Sequence, residues 1–257
     1  MKSFSERASY TLNPTAQKLF KLMDLKQTNL ALAADVTSSD ELVKLADSLG
    51  PQICLLKTHI DILADFSPQL PHRLQELAEK HHFLLFEDRK FADIGHTVKE
   101  QYLGGMYRIS DWADLITAHT ISGPNIIEGL KQVGLPKGKG VLLLAEMSSK
   151  ETLAKGAYTR KTVVWGQEHA EFVAGFICTH KLTDDPAFLH MTPGVHLEKG
   201  SDGLGQRYLS VKEAIEKRGS DVVIVGRGIY QASDPIKMAE SYRQEAWHRY
   251  RHRLIMI

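Results

Sequence analysis

Eight runs of apolar residues, each long enough for one β-strand, alternate along the chain with segments of helical character. Apolar residues are nearly continuous within each run, which is typical of parallel strands whose two faces are both covered by helices. The runs cover residues 30–36, 53–59, 83–88, 115–120, 141–147, 172–179, 189–195 and 222–226. Eight such alternations in 257 residues predict an α/β fold, a single (β/α)8 TIM barrel that comprises residues 1–257.

The segments between these runs have the apolar spacing of amphipathic helices. In residues 38–50, leucines at positions 42, 45 and 49 fall on one helix face, a serine can cap the start, and Gly50 ends the helix. Further helices are predicted over residues 70–78, 125–133, 158–170, 211–217 and 235–254. Residues 14–26 predict an additional N-terminal helix before the first strand.

An open, doubly wound α/β sheet is the alternative architecture for this pattern. Such sheets often carry a glycine-rich dinucleotide-binding turn after their first strand. Here the first strand is followed by ADVTSSDE, residues 34–41, which contains no glycine. The barrel is therefore favoured over the open sheet.

Charge and cysteine content favour a soluble cytoplasmic protein. The formal net charge is +1, so no bulk electrostatic field favours binding to nucleic acid or to an anionic membrane. Cys54 and Cys178 lie in apolar runs without metal-type spacing, as expected for free buried thiols in a reducing compartment. The N-terminus lacks the apolar core of a signal peptide, and no segment approaches the length of a membrane span.

Polar residues collect at the carboxyl ends of the predicted strands, which is where barrel enzymes hold their catalytic groups. In chain order, these strand-end residues are Asp35, Lys57, His59, Asp88, Lys90, Glu146, Ser148, Pro193 and Arg227. Their convergence on one barrel mouth predicts an active site. The alternative is a purely structural salt-bridge cluster, but a buried charge network stabilises a protein poorly compared with apolar packing.

Four of these residues predict a row of alternating charge. Asp88 and Lys90 are two positions apart, so they point to the same side if the strand stays extended. Lys57, on the neighbouring strand, and Asp35 would continue the row, and each charge would stabilise the ionised form of its neighbours.

Acidic and polar residues close to this row in the sequence are expected to lie outside the row itself. Asp93 and Thr97 follow the strand, in a loop and at the start of a helix, where they are expected at an interface. Glu87 and Arg89 have the opposite side-chain parity and are expected to face the outer helices or loops.

A second candidate site lies late in the chain. Residues 200–208, GSDGLGQRY, form a glycine-rich loop of the length and polarity expected of a mobile lid. Gly226, Arg227 and Gly228 directly follow the eighth strand. Loops after strands 7 and 8 are the usual phosphate site of these barrels, where glycine admits backbone N–H groups and arginine clamps the anion.

Eight motifs, in this order, resemble the orotidine 5′-phosphate decarboxylase family in its eukaryotic type, a free enzyme or one half of uridine monophosphate synthase. The motifs are LALAADV, GPQICLLKTHIDIL, FLLFEDRKFADIGHTVKEQY, WADLITAH, LLLAEMSS, FLHMTPGV, LGQRY and RGSDVVIVGRGI. The resemblance implies a (β/α)8 homodimer that releases CO2 from orotidine 5′-phosphate to give uridine 5′-phosphate. The sequence carries no pyridoxal or thiamine signature and its histidines are scattered, so the reaction is expected to need no cofactor or metal. This reaction is the last step of pyrimidine-nucleotide synthesis.

The resemblance also implies catalytic roles. Lys57, Asp88, Lys90 and Asp93 would form the charge array, with Lys90 as the proton donor to C6 of the base. Asp93 and Thr97 would reach into the active site of the partner subunit.

The other implied roles concern substrate binding. Asp35 with Lys57 would bind the ribose hydroxyls, and Ser148 would bind the pyrimidine edge. The phosphate would be held by Gln206, Tyr208, Gly226 and Arg227, and Pro193 with residues 200–208 would close over the ring.

Two positions depart from the family's usual pattern. Ala33 stands where the eukaryotic type usually has serine, and His96 stands where asparagine is usual. Neither change removes a charged member of the array. Two alternatives stay open: a metal-dependent phosphosugar decarboxylase or aldolase with the same Asp-x-Lys-x-x-Asp pattern, and an inactive nucleotide-binding homologue.

Overall fold

Eight parallel strands close into a barrel, as the apolar runs predict. The computed structural model describes residues 1–197, 200–201 and 207–256, and within these residues each predicted run supplies one barrel strand. The strands are β1 (Leu30–Ala33), β2 (Leu55–Thr58), β3 (Leu84–Phe91), β4 (Leu115–Ala118), β5 (Gly140–Leu144), β6 (Val173–Ile177), β7 (Leu189–Pro193) and β8 (Val222–Val225). Each strand pairs with the next, and β8 pairs with β1 to close the barrel.

Helices form the outer layer, and this layer explains why the strand residues are buried on both faces. The helices are α1 (Phe4–Arg7), α2 (Pro14–Lys26), α3 (Ser39–Leu49), α4 (Leu70–His81), α5 (Gly95–Leu103), α6 (Asn125–Gly134), α7 (Ala157–Glu168), α8 (Arg227–Tyr230) and α9 (Pro235–Ile255). The additional N-terminal helix is confirmed with its predicted bounds, and Asn13 caps it by accepting a hydrogen bond from Ala16 N. Among the described residues, no helix is both long and apolar enough to cross a membrane.

Two local predictions differ from the structure. The helix predicted over residues 211–217 contains a π-helix at Glu213–Lys217. The glycine-rich segment contributes strand backbone, because Val195–His196, Gly200–Ser201 and Arg207–Ser210 form a small separate sheet. This sheet directly follows β7, at the carboxyl end of the barrel.

Lys26, the last residue of α2, joins three parts of the outer layer. Its ammonium group donates hydrogen bonds to the carbonyl oxygens of Gly50 at 2.9 Å, Ile53 at 2.7 Å and His81 at 2.7 Å. Gly50 and His81 lie at the ends of α3 and α4, where carbonyl groups lack helical partners and the helix dipole favours a cation. Burial lowers the pKa of Lys26 to about 8.

We expect Lys26→Met to lower the free energy of unfolding by about 3 kcal/mol, because three carbonyl groups lose a charged donor while most of the apolar stem is kept. Chemical denaturation at neutral pH measures this loss. Lys21→Met is the matched control, since Lys21 is exposed on the same helix, and it should change stability by less than about 0.5 kcal/mol. Equal effects of the two substitutions would contradict the role given to Lys26.

Candidate active site

The predicted row of alternating charge is present at the carboxyl ends of the first three strands. Lys57 Nζ lies 2.9 Å from Asp35 Oδ1 and 3.4 Å from Asp88 Oδ2. Lys90 Nζ lies 2.6 Å from the same Oδ2 atom of Asp88. The Asp88 carboxylate therefore bridges two ammonium groups that come from different strands.

The backbone of β3 leaves the extended conformation at Lys90, so the condition under which Asp88 and Lys90 were predicted to point to the same side is not met there. Lys90 has a left-handed backbone with φ of 52°, and the pairing of β3 with β4 shifts register between Glu87 and Phe91. Thr117 of β4 holds the bend, since its hydroxyl donates to Asp88 Oδ1 at 2.8 Å and accepts from Lys90 N at 2.9 Å. The two charged side chains meet because the bend turns Lys90 back towards Asp88.

Burial and mutual attraction act in opposite directions on the ionisation of this row. Lys57 is only 5% exposed, and burial alone would lower its pKa. The carboxylates of Asp88 and Asp35 outweigh burial and raise the pKa of Lys57 above its ordinary value. Burial would likewise raise the pKa of Asp88, but Lys57 and Lys90 hold it well below its usual range. Lys57 and Asp88 therefore both carry charge at neutral pH.

His59 is a further member of the site. Its Nε2 atom lies 3.5 Å from Asp88 Oδ2 and 3.8 Å from Asp35 Oδ1. Burial and the neighbouring Lys57 ammonium lower the pKa of His59, which favours a neutral imidazole at neutral pH. His59 can therefore hydrogen-bond in the site without cancelling a carboxylate charge.

A cavity of about 280 Å³ opens at this end of the barrel and joins the two candidate sites predicted from the sequence. Predicted site residues that line it are Asp35, Lys57, Asp88, Lys90, Ser148, Pro193, Gly226 and Arg227. Glu146 and His196 also line it. The cavity thus has the charge row on one side and an arginine after the eighth strand on another.

Gly226 lies at a tight point of this wall because β1 passes close to it. A Cβ atom at position 226 would lie 3.1 Å from the carbonyl oxygen of Ala33 and 3.3 Å from its Cβ. The residue at position 33 therefore faces the same cavity wall, and alanine there keeps the wall apolar. Arg227 follows immediately as the first residue of α8.

Other predicted site residues lie outside this cavity or outside the described chain. Among the described residues that line the cavity, neither Asp93 nor Thr97 is present. Asp93 is exposed, and its Oδ1 atom accepts a hydrogen bond from Ile94 N at 2.7 Å. Gln206 lies outside the described residues, and so does the side chain of Tyr208.

Comparison with known proteins identifies the family. The model for the orotidine 5′-phosphate decarboxylase / HUMPS family matches residues 28–242 of the chain. The chain belongs to this family. The matched range contains every described residue that lines the cavity, from Ala33 to Arg227.

Individual relatives of the chain agree with this family assignment. A uridine 5′-monophosphate synthase of Bos taurus is 53% identical over 253 residues, which cover 98% of the chain and 53% of that protein. An orotidine 5′-phosphate decarboxylase of Rhizopus oryzae is 52% identical over 258 residues, which cover 99% of the chain and 97% of that protein. The chain therefore spans about half the length of the cattle protein and nearly all of the fungal one.

A solved structure supports the fold of this family member. The crystal structure of orotidine 5′-phosphate decarboxylase from Pyrococcus horikoshii matches with a TM-score of 0.62 at 22% identity, covering 84% of the chain and 98% of that structure. Identity this low bears on the fold alone, and the fold is the closed eight-stranded barrel described above.

Sequence reasoning about this family member missed two polar side chains of the site region. Thr117 stands in the run LITAHT, for which the apolar pattern predicts only a buried strand. His196 lies beside Arg227 in the cavity wall, where burial and Arg227 lower its pKa. The threonine left a usable signal, because a hydroxyl in an apolar strand needs a hydrogen-bond partner.

Glu87 was expected among the outer helices or loops, and it lies fully buried on the outer side of the barrel between β2 and β3. Burial raises its pKa to about 8, although hydrogen bonds from Thr58 and Ile60 and the charge of Lys57 favour the carboxylate. The neighbouring Asp61 carboxylate also raises the pKa of Glu87.

This raised pKa predicts pH-dependent stability. Because the folded-state pKa lies above the ordinary value of 4.5, the stabilising contribution is fully present below that value and is lost as pH rises through about 8. We expect the wild-type melting temperature to fall, relative to that of Glu87→Gln, between about pH 4.5 and about pH 8. Thermal unfolding of both proteins across this range measures the difference, and parallel curves would contradict the assignment.

Proposed function

We propose that the chain decarboxylates orotidine 5′-phosphate to uridine 5′-phosphate, the last step of uridine 5′-phosphate biosynthesis. The observation that carries this proposal is the Asp88 carboxylate held between Lys57 and Lys90 on the wall of a cavity that also contains Arg227. Family membership and the fungal relative of nearly equal length support it.

The substrate is proposed to lie across the cavity with its phosphate at the end of β8. Gly226 and Arg227 would hold the phosphate together with Gln206 and Tyr208 of the glycine-rich segment. Asp35 and Lys57 would bind the ribose hydroxyls, Ser148 the pyrimidine edge, and Pro193 with residues 200–208 would close over the ring.

The charge row supplies the chemistry. The bond between C6 and the carboxylate breaks, CO2 leaves, and the electron pair stays on C6. Lys90 stabilises the developing negative charge and then transfers a proton from Nζ to C6. Asp88 accepts hydrogen bonds from Thr117 and Lys90, so it stays ionised beside the departing carboxylate and keeps the two lysines in place.

Binding of the phosphate contributes to catalysis at a distance. Contacts made by Arg227 to a part of the substrate that does not react can stabilise the closed, dry site in which the carbanion forms. Loss of these contacts is therefore expected to lower kcat as well as affinity.

Loss of orotidine 5′-phosphate absorbance, followed with and without exhaustive chelation by EDTA, tests the proposed function. Turnover that is unchanged by EDTA is the expected result. Turnover that depends on added metal would favour a phosphosugar decarboxylase or aldolase of the same barrel type. Binding of uridine 5′-phosphate without any turnover would favour an inactive nucleotide-binding homologue.

We also propose a cytoplasmic homodimer of single-domain chains, residues 1–257, in which Asp93 and Thr97 complete the partner's site. Support comes from exposed apolar side chains near Asp93: Ile94 is 62% exposed and Ile121 is 71% exposed. The Ser122 hydroxyl donates to the Asp93 carbonyl oxygen at 3.1 Å, which keeps the two segments together. Such paired apolar side chains suit an interface between copies of the chain.

Mixing subunits tests whether active sites are shared. Lys57→Ala removes the lysine that a subunit supplies to its own site, and Asp93→Ala removes the aspartate that it supplies to its partner's site. A heterodimer of the two variants therefore contains one site with both defects and one intact site. We expect each homodimer to be nearly inactive and the heterodimer to recover up to half of wild-type turnover per dimer. Purified heterodimers with differently tagged subunits provide the measurement, and no recovery in them would indicate self-contained sites.

A further inference from the structure

The side chain of Glu87 joins the carboxyl end of β2 to β3 by hydrogen bonds, on the outer side of the strands that carry the charge row. Glu87 is 0% exposed, and its Oε2 atom accepts a hydrogen bond from the Thr58 hydroxyl at 2.6 Å. The amide of Ile60 donates to both carboxylate oxygens, at 3.0 Å and 3.2 Å. Thr58 and Ile60 flank His59 and follow Lys57, so Glu87 holds the segment that carries both of these site residues.

Regular strand pairing stops at this point of the barrel. The last pair between β2 and β3 is Thr58 with Glu87, and the pairing of β3 with β4 shifts register after Glu87. The side chain of Glu87 therefore supplies hydrogen bonds between β2 and β3 where the backbone ladder ends. Lys57 and Asp88 are the residues next to this pair on the two strands.

A carboxyl group is a costly choice at a fully buried position if stability is its only purpose. Burying a polar group away from water costs free energy that an apolar side chain of similar size would not. What the carboxyl group supplies here is orientation, because it accepts from one hydroxyl and one amide at fixed positions on the neighbouring strand. Residues that break such local rules tend to lie at functional sites.

We propose that Glu87 is a positioning residue that sets the separation of Lys57 on β2 from Asp88 on β3 without touching the substrate. This inference rests on the proposed decarboxylation. Displacing a reacting group by about 1 Å can cost on the order of a hundredfold in rate. Loosening the Thr58–Glu87 contact would displace Lys57 and Asp88 relative to each other, while the phosphate end at Arg227 would be left in place.

The test compares kcat with the affinity for uridine 5′-phosphate in three variants. Glu87→Leu removes both acceptors at similar volume, and we expect kcat to fall about tenfold to hundredfold while affinity changes less than about threefold. Glu87→Gln keeps an acceptor oxygen and should retain kcat within about threefold of wild type. Thr58→Val removes one hydroxyl at nearly constant shape and should lower kcat in the same direction as Glu87→Leu, which keeps the proposal testable if Glu87→Leu does not fold.

Asp114→Leu is the matched control. Asp114 Oδ2 accepts a hydrogen bond from Leu85 N at 3.0 Å, so it also joins β3 to a neighbouring strand, but at the opposite end of β3. We expect this variant to have a lower melting temperature than the wild type and an unchanged kcat. Normal kcat in folded Glu87→Leu and Thr58→Val, or equal losses of kcat in Asp114→Leu, would overturn the positioning role. Absence of turnover in the wild-type protein would instead contradict the proposed function itself.

Discussion

Replacing Lys90 by alanine is expected to abolish turnover of orotidine 5′-phosphate, with kcat reduced by at least about ten-thousandfold. In the proposed mechanism, the variant loses both the cation that stabilises the charge on C6 and the proton that C6 receives, and each contribution is large in a buried site. Lys90 Nζ lies 2.6 Å from Asp88, so its removal also leaves that carboxylate with one ammonium neighbour fewer. The measurement is the rate of absorbance loss at saturating substrate.

Two further variants show which property of Lys90 matters. Lys90→Arg keeps the positive charge but holds its protons too tightly to transfer one to carbon, so it should stay nearly inactive. Lys99→Ala removes a lysine from the helix that follows β3 and should leave kcat unchanged. Uridine 5′-phosphate should still bind to Lys90→Ala with an unchanged circular dichroism spectrum. Near-normal turnover of Lys90→Ala would reject the proton-donor role.

Asp221→Asn is expected to have the largest effect on stability, a loss of about 3–5 kcal/mol in the free energy of unfolding. The Asp221 carboxylate is buried at the amino end of β8 and contacts Arg7 at 2.6 Å and Arg253 at 3.1 Å. It also accepts a hydrogen bond from His190 N at 3.0 Å. The substitution leaves two buried guanidinium groups without a carboxylate, at the place where α1 and α9 meet the barrel.

The same cluster predicts sensitivity to acid. Burial would raise the pKa of Asp221, but the charge of Arg7, a hydrogen bond donated by His190 and the charge of Arg253 hold it well below its ordinary value of 3.8. The stabilising contribution of Asp221 is therefore present above pH 3.8 and is lost as the pH falls towards the folded-state pKa.

Urea denaturation at neutral pH, followed by circular dichroism, measures the effect of Asp221→Asn. The exposed Asp184, which pairs with Lys181 on the surface, supplies the control substitution Asp184→Asn, and this should change stability by less than about 1 kcal/mol. A midpoint for Asp221→Asn equal to that of the control would mean that the buried cluster does not hold the terminal helices.

The position of Lys90, the proposed proton donor, shows what could not be predicted from the sequence. Spacing alone placed Asp88 and Lys90 on one side of an extended strand, and the two side chains do meet. They meet by another route, since Lys90 adopts a left-handed backbone that Thr117 of the next strand supports. A residue 27 positions away decides this conformation, and no local pattern reports such a contact.

Asp221 and Glu87 are a second illustration. Asp221 directly precedes β8 and Glu87 lies within β3 beside Asp88, and no local pattern shows that either carboxyl group is buried. Both are buried because the closed barrel brings distant segments against them: the N-terminal Arg7 and C-terminal Arg253 in one case, and Thr58 in the other.

The order of strands and helices, the barrel class and the strand ends that carry charge could all be predicted from the amino-acid sequence. This was possible because periodicity of apolar residues records which faces are buried, and because parallel strands in a barrel all end at the same rim. The folded structure was needed to learn which charged groups are in contact, where the backbone bends and which carboxyl groups are buried. Those outcomes depend on close contacts between residues far apart in the chain, whose free energies exist only after the barrel has closed.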